Sequence, residues 1–290
     1  MIDFSKNNFI LPLGNGNNFT VTINSFPINF SNYFIESCIA AEEIYSFKQG
    51  KFYILYSGGI DSEYVLSVFL HLKMDVTPVI INLNPNYNNF DTVYAIDFCN
   101  KNNLKPLIVN LDFNKFVKSG KFLEVSKICK SEVYHMAATA YVAGTIDGTI
   151  LLGAGEPYIK LKKDNEWNVE IYQYDYAIEN YFLKKGIHGV AQFNSYTLEM
   201  VMSYLSDNRI VELANNLVPG KLGSNSSKFI IYNRHSKFNL EERPKYHGYE
   251  KIEKSKIFQH DDFQELKIIG KEWNGIYSKN YFEFMKEYHV

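Results

Sequence analysis

The residues best suited to chemistry lie together in one short stretch. YILYSGGIDSEYVLS places Ser57, Gly58, Gly59, Asp61 and Ser62 directly behind an apolar run. The serine hydroxyls can donate hydrogen bonds to phosphate oxygens, and the glycines let a ligand approach the backbone closely. Asp61 would repel an anion unless a divalent cation lies between them, and magnesium commonly bridges a carboxylate and phosphate oxygens. These residue types therefore predict a phosphate-binding turn with bound magnesium.

The turn differs from two common phosphate-binding loops. A Walker A loop needs a lysine after its last glycine, and a dinucleotide loop needs GxGxxG; neither pattern is present in the stretch. What remains is SGGxDS between an apolar strand and a helix. Backbone N–H groups at the helix start favour an anion, and ligands of open α/β sheets bind at this edge. The alternative is a tight Gly-Gly turn without a ligand.

A second glycine-containing loop follows a later apolar strand. ILLGAGEPYIKLKK (150–163) contains Gly153, Gly155 and Glu156, with Lys160 shortly after. Because carboxyl ends of parallel strands meet at one edge of a sheet, we expect this loop beside the first one. The alternative is a strand end relieved by glycine, with a solvated glutamate.

A late segment concentrates basic residues. NRHSKFNLEERPKYHGYEKI (233–252) contains Arg234, Arg243 and Lys245 among histidines and aromatic residues. A guanidinium can grip a phosphate or carboxylate through two parallel hydrogen bonds. We interpret the segment as a candidate substrate grip; a mixed-charge surface segment is the alternative.

Short apolar strands alternate with helical patterns around the two glycine loops. The sequence predicts strands at 51–56, 76–83, 104–111 and 148–153. It predicts helices at 62–73, 90–102 and 131–144. This alternation is typical of a parallel sheet with right-handed crossovers and helices on both faces.

The flanking regions suggest three parts of the chain. Apolar runs at 8–13 and 18–23 predict a short N-terminal β-hairpin, and residues 31–47 have helical spacing. The later region looks mostly helical, with helices expected at 170–185, 195–205 and 209–217 and a loop or linker at 219–228. We therefore expect an N-terminal hairpin and helix (1–48), a ligand-binding domain (49–160) and a substrate-binding C-terminal region (161–290).

Composition limits the class of protein. The net charge of −2 shows no overall field for nucleic acid or membranes. Cys38, Cys99 and Cys129 are widely spaced, which argues against a zinc ribbon or a disulfide framework. The chain shows neither a signal-peptide pattern at its start nor an apolar run of membrane-spanning length. We expect a soluble, cytoplasmic protein without a membrane partner.

The SGGxDS turn resembles the pyrophosphate-binding loop of the N-type ATP pyrophosphatase (PP-loop) superfamily, whose members are adenine nucleotide alpha hydrolase-like. The resemblance covers about residues 50–160 and implies a Rossmann-like sheet of the HUP type. It also implies ATP cleavage between the α- and β-phosphates, with magnesium, a substrate adenylate and released pyrophosphate. The 153–156 loop is similar in part to a GxGxDE-like loop of asparagine synthetase, although no second carboxylate directly follows Glu156.

The resemblance assigns further roles. It implies that Asp61 and Glu156 hold magnesium, and that adenine packs on the backbone from Ile81 to Leu83. Gly153 and Gly155 would contribute to the phosphate site. Positive charge against pyrophosphate or an acyl intermediate would come from three catalytic candidates, Lys160, Arg243 and Lys245.

The loop character is closest to the asparagine synthetase branch. Too few residues precede the motif for that enzyme's glutaminase domain, so ammonia or an amine on an unidentified small-molecule acceptor would supply nitrogen. We therefore expect an ATP- and magnesium-dependent ligase that forms an amide or another C–N bond. Two alternatives stay open: a tRNA-modifying enzyme of the same superfamily, which the charge balance and missing cysteine pairs do not favour, and a non-catalytic nucleotide-binding module.

Overall fold

A computed structural model describes most of the chain. The described residues are 10–14, 16–23, 29–162, 164–215, 225–243 and 250–288. The strands are β1 (Ile10–Leu13), β2 (Thr20–Ile23), β3 (Phe52–Leu55), β4 (Thr77–Asn84), β5 (Leu107–Asp112), β6 (Thr149–Leu152), β7 (Tyr158–Leu161), β8 (Trp167–Tyr172), β9 (Gly189–Val190) and β10 (Ile276–Asn280). The α-helices are α1 (Tyr33–Ser46), α2 (Ile60–His71), α3 (Asn89–Lys101), α4 (Phe113–Lys118), α5 (Lys121–Cys129), α6 (Tyr134–Ala143), α7 (Ala177–Lys185), α8 (Leu198–Leu205), α9 (Asn208–Asn215), α10 (Asn225–Ser236), α11 (Glu250–Glu253), α12 (Asp261–Ile269) and α13 (Tyr281–Tyr288).

The central element is a five-stranded parallel sheet in the order β5-β4-β3-β6-β9. Its inner strands are short and apolar, and alternate side chains enter two separate cores. Ile54 and Leu151 pack with α1, α2 and α8 on one face, whereas Leu55 and Leu152 pack with α4 to α7 on the other. The expected helix-flanked parallel sheet is therefore confirmed.

The strand order reverses beside β3. From β3 the chain moves outward through β4 to β5, and it then returns to the other side of β3 as β6, followed by β9. Such a reversal leaves a crevice outside the carboxyl ends of the two neighbouring strands, because their following loops diverge. Both glycine loops leave the sheet at this crevice, one after β3 and one after β6.

The later half contains a second sheet that the sequence analysis missed. Strands β7, β8 and β10 form an antiparallel sheet, with Trp167 paired to Leu161 and Tyr172 paired to Ile276. The helix predicted at 170–185 is wrong at its start, since residues up to Tyr172 belong to β8 and α7 begins at Ala177. The physical reason is tertiary: Trp167 and Val169 are buried on either side of the less buried Asn168, and the segment pairs with both β7 and β10. The C-terminal part is otherwise helical, as expected.

The N-terminal strands β1 and β2 pair antiparallel, with Ile10 opposite Ile23. Residue 15 between them and residues 24–28 after them lie outside the described residues. The following helix α1 starts where the side chain of Asn32 accepts a hydrogen bond from the Ile35 N–H at 3.1 Å. Across the described parts of the chain, no helix has the length and apolar character that a membrane span requires.

Candidate functional site

A cavity of about 360 Å³, called the large cavity below, opens at the carboxyl ends of β3, β4 and β6. The glycine turn 57–62 forms one wall, and His135 and Met136 of α6 contribute to another. Ile81 and Leu83, predicted to face adenine, also line the cavity. The cavity therefore coincides with the crevice where the strand order reverses, the usual ligand position in open α/β sheets.

The glycine turn is held by its own serines. Ser57 Oγ lies 3.1 Å from Ser62 Oγ and accepts a hydrogen bond from the Gly59 N–H at 3.2 Å. Gly58 has a φ of +89°, and a Cβ there would collide with the backbone carbonyl of Asp91 in α3. Glycine at position 58 is therefore required for packing against α3, in addition to any ligand role. Gly59 has a φ of −78° and is the N-cap residue that directly precedes α2.

The second glycine loop packs directly on the first turn of α2. A Cβ at Gly153 would lie 2.8 Å from Ser62 Cα and 2.9 Å from the Asp61 carbonyl oxygen, so only glycine permits this approach. Gly153 lines the large cavity. Gly155 instead lines a smaller space of about 30 Å³ together with Glu156. The structure thus brings both loops together, as predicted, but places Gly155 beside a different space.

A lysine that the sequence analysis missed contacts Asp61 of the cavity wall, although it is not itself among the described residues that line the cavity. Lys228 Nζ lies 3.1 Å from Asp61 Oδ2 and forms an ion pair with Glu156. Tyr232, one helical turn later in α10, donates a hydrogen bond to Asp61 Oδ1 at 2.7 Å. The prediction of a loop at 219–228 is wrong for residues 225–228, which begin α10, and residues 216–224 lie outside the described residues. The i, i+4 spacing of the lysine and the tyrosine was the available signal.

The three charges form an enclosed network. The side chains of Lys228 and Glu156 are 11% and 10% exposed, whereas Asp61, on the cavity wall, is 26% exposed. Burial alone lowers the pKa of Lys228, but the charges of Asp61 and Glu156 outweigh it and hold that pKa above its ordinary value. Burial and the like charge of Asp61 raise the pKa of Glu156. The network therefore keeps a permanent ammonium beside the glycine turn.

Stacked tyrosines support Tyr232 from behind. Its ring stacks on Tyr64 at a centroid distance of 4.3 Å, and Tyr33 stacks on Tyr64 at 5.5 Å. Burial, and then the charge of Asp61, raise the pKa of Tyr232 well above its ordinary value. The phenol therefore stays protonated and donates to Asp61, whose two carboxylate oxygens then each have a donor from α10.

Arg243 is engaged by the glycine turn. Its guanidinium donates to the Gly58 carbonyl, forms an ion pair with Glu63 and lies 4.8 Å from the centre of the Tyr94 ring. Glu63 is 4% exposed and also accepts a hydrogen bond from Tyr56. Arg243 lines the large cavity, but both of its terminal nitrogens already donate within the protein. Its position indicates that it fixes the turn; the predicted substrate contact stays a prediction.

The other basic candidates lie elsewhere. Arg234 forms an ion pair with Asp207 at 2.7 Å, and Lys160 lies 3.4 Å from the buried Glu170 in the second sheet. Neither Arg234 nor Lys160 is among the described residues that line the large cavity. Lys245 lies outside the described residues. Arg234 and Arg243 are only nine positions apart in the sequence, but the structure gives them different partners.

The smaller space beside Glu156 holds another perturbed carboxyl group. Asp175 lines it and accepts a hydrogen bond from the Tyr172 N–H at 3.2 Å. Burial, and then the charge of Glu156, raise the pKa of Asp175 to about 7. No pattern in the sequence pointed to this aspartate, because its neighbours come from distant segments.

The carboxylates fit magnesium in part. Within the described residues, no group of three or more His, Cys, Asp or Glu side chains could hold a metal ion. Magnesium in nucleotide sites needs only one or two carboxylates, because phosphate oxygens and water complete its shell. Asp61 lies on the cavity wall, but its two oxygens already accept from Lys228 and Tyr232, and Glu156 is held by Lys228 as well. Asp61 as the ligand of an ion shared with a phosphate-bearing ligand, and Glu156 as a second ligand, therefore stay predictions.

No protein-family model matches the sequence. No curated protein matches it at a significant level.

The pKa of Asp175 predicts a pH-dependent stability. An aspartate whose pKa is about 7 in the folded state, against an ordinary 3.8, favours folding when protonated. Its contribution is complete below the ordinary pKa and is lost as the pH rises through 7. We expect urea unfolding to show the parent losing stability from about pH 5 to pH 8, and Asp175→Asn losing about 2 kcal/mol less. Equal slopes for the two proteins would contradict the shifted pKa.

A positioning role for Arg243 predicts a stability effect. Arg243→Ala leaves the buried Glu63 without its cation, and breaking such a pair costs roughly 3 kcal/mol. We expect a clear loss of thermal stability, partly restored in Arg243→Lys, which keeps the charge but not the fork. Arg234→Ala is the control, because its pair with Asp207 is more exposed. An Arg243→Ala protein as stable as the control would leave the substrate contact as the better interpretation.

Proposed function

We propose that this protein binds ATP with magnesium in the large cavity and acts as a ligase that releases AMP and pyrophosphate. The fold would then be the HUP-type variant of the Rossmann-like architecture, and the 57–62 turn the pyrophosphate loop. The proposal is supported by the order of strand, glycine turn and helix, and by the position of the turn at the reversal of the strand order.

The single observation that carries the proposal is Lys228. A buried ammonium beside Asp61, at the start of α2, suits the stabilisation of negative charge that develops on a leaving phosphate group. Asp61 holds it on one side and Glu156 on the other, so its position is fixed before any ligand arrives. Such preorganised charge lowers a barrier because no reorganisation is needed during reaction.

The chain's own residues divide the work. The serine hydroxyls and the first N–H groups of α2 would bind phosphate oxygens, and Ile81 and Leu83 would wall the base. Magnesium, when bound at Asp61, would neutralise phosphate charge. Lys228 would face the charge that forms as the α–β phosphate bond breaks. The acceptor, a small molecule that provides or receives nitrogen, would lie on the side of the later half, where α10 meets the turn.

One observation favours a second candidate, a nucleotide-binding module without turnover. Lys228 pairs with both Asp61 and Glu156 without any ligand, and Tyr232 donates to the other oxygen of Asp61. A pre-satisfied network is as suited to holding a fold together as to catalysis. The two candidates differ in products, since only the ligase converts ATP to AMP and pyrophosphate.

Product analysis tests the proposal. The full chain is incubated with ATP, magnesium and a panel of carboxylate and amine acceptors, and nucleotides are separated by anion exchange. AMP and pyrophosphate that depend on an acceptor support the ligase. ATP binding without AMP formation in the presence of any acceptor supports the nucleotide-binding module. Formation of ADP and phosphate would contradict both candidate functions.

Lys228 gives the sharpest prediction. We expect Lys228→Met to reduce pyrophosphate release by roughly 100-fold, because a preorganised charge is lost from the site. The exposed Lys115 provides a matched control, and Lys115→Met should turn over like the parent. Since Lys228→Met also leaves two carboxylates close together, thermal unfolding must confirm that the variant is folded at the assay temperature. Unchanged turnover in a folded Lys228→Met protein would remove the lysine from the reaction.

The magnesium assignment gives a separate prediction. Asp61→Asn keeps the acceptor for Tyr232 but replaces a charged metal ligand by an amide. We expect ATP titrations at increasing magnesium to show a much weaker dependence on the ion than in the parent. Asp97→Asn, an exposed change on α3, serves as the control. A parental magnesium dependence in Asp61→Asn would place the ion elsewhere.

A further inference from the structure

One edge of β4 inside the cavity is occupied by a side chain. β3 ends at Leu55, which pairs with Val79, while β4 continues to Asn84. Beyond Val79, the edge of β4 on the β3 side therefore lies past the end of β3. The Tyr56 N–H donates to the Val79 carbonyl at 2.8 Å on this edge. Backbone groups on one edge of a strand recur at every second residue, so Ile81 and Leu83 present the next groups there.

Asn88 binds both residues. Its Nδ2 donates to the Ile81 carbonyl at 2.8 Å, and its Oδ1 accepts from the Leu83 N–H at 2.8 Å. The orientation of the carboxamide is fixed by these partners, because its Nδ2 meets a carbonyl oxygen, which only accepts, and its Oδ1 meets an N–H group, which only donates. Asn88 is 6% exposed and lines the large cavity.

The carboxamide has the hydrogen-bonding pattern of a particular ligand edge. It presents an acceptor and an NH₂ donor side by side in one plane. A 6-aminopurine carries the same pair, a ring nitrogen acceptor beside an exocyclic amino donor, whereas a 6-oxopurine has an acceptor in place of that donor. The nearby walls are apolar, formed by Leu55, Val79, Met136 and Leu152, and suit the faces of a flat ring.

We propose that Asn88 is an internal substitute for the base and lowers the affinity for 6-aminopurine nucleotides. A 6-aminopurine nucleotide displaces the carboxamide from Ile81 and Leu83 and makes the same two hydrogen bonds. The proposal rests on nucleotide binding in this cavity, as set out under the proposed function. Two bonds are broken as two are formed, so the polar exchange adds little affinity, and Asn88 weakens binding of every nucleotide that must displace it.

A purely structural role makes the opposite prediction. Asn88 lies at the end of a turn in which the Tyr87 N–H donates to the Leu83 carbonyl at 2.8 Å. If the side chain only held this turn, its removal would loosen the wall of the cavity. Binding of all nucleotides would then weaken equally, whatever the base.

The test measures ATP and inosine triphosphate binding by isothermal titration calorimetry, with magnesium and without an acceptor substrate. We expect Asn88→Ala to bind ATP roughly fivefold more tightly than the parent, the equivalent of about one net hydrogen bond. Inosine triphosphate should gain no such affinity, because its 6-oxygen would face the Ile81 carbonyl. Asn82→Ala is the matched control: Asn82 lies on the same strand, but bonds to Asn110 outside the cavity.

Several outcomes would overturn the inference. Equal or weaker ATP binding in a folded Asn88→Ala protein would show that the side chain stays in place. Asn88→Ser keeps a hydroxyl for the turn and is measured in parallel. If neither variant folds, the Asn88 side chain is required for folding, and the inference that a nucleotide displaces it is wrong. If the parent binds ATP and releases pyrophosphate but Asn88→Ala gains no affinity, only this inference fails. If the parent binds no ATP, the proposed function fails with it.

Discussion

The structure depends most on one enclosed ammonium group. Lys228 comes from α10, Asp61 from the first turn of α2 and Glu156 from the loop after β6. Removing Lys228 would leave two carboxylates without their cation, which is costly for groups largely out of water. The position of α10 against the parallel sheet therefore depends on ion pairing as well as on packing. Hydrophobic contact alone would allow α10 to slide, whereas the contacts of one ammonium with two carboxylates restrict its rotation and height.

The stacked tyrosines explain how so polar a centre is tolerated. Tyr232 occupies one oxygen of Asp61, and its ring packs on Tyr64, which donates in turn to Ser37 at 2.9 Å. Tyr33 donates to Asn194, which also donates to the Gly153 carbonyl at 3.2 Å. Each phenol thus combines a large apolar surface with one satisfied hydroxyl. Three of the chain's 22 tyrosines thereby form a boundary between the core and the charges.

Local patterns were sufficient to predict the part of the fold that surrounds the glycine loops. Short apolar strands and a Gly-Gly turn depend on neighbours within a few residues, so the strand at 52–55 and the helix after Gly59 could be expected. The sheet formed by β7, β8 and β10 could not, because Tyr172 meets Ile276 across a hundred residues. Lys228 was missed for the same reason, since its segment was rich in serine and glycine and its partners were remote. The predicted roles of Arg243 and Gly58 did not include their contacts with Glu63 and α3, which only the tertiary structure reveals.

The distance in sequence between Asp61 and Lys228 has a consequence for synthesis of the chain. The ion pair closes a loop of 167 residues, so it cannot form until the ribosome has made most of the protein. Until then Asp61 and Glu156 lie at the ends of neighbouring strands with no ammonium between them. Both can remain hydrated during that interval, because water serves as the partner that α10 later replaces. The parallel sheet can therefore assemble early, while the site reaches its final charge state only when α10, in the last quarter of the sequence, docks.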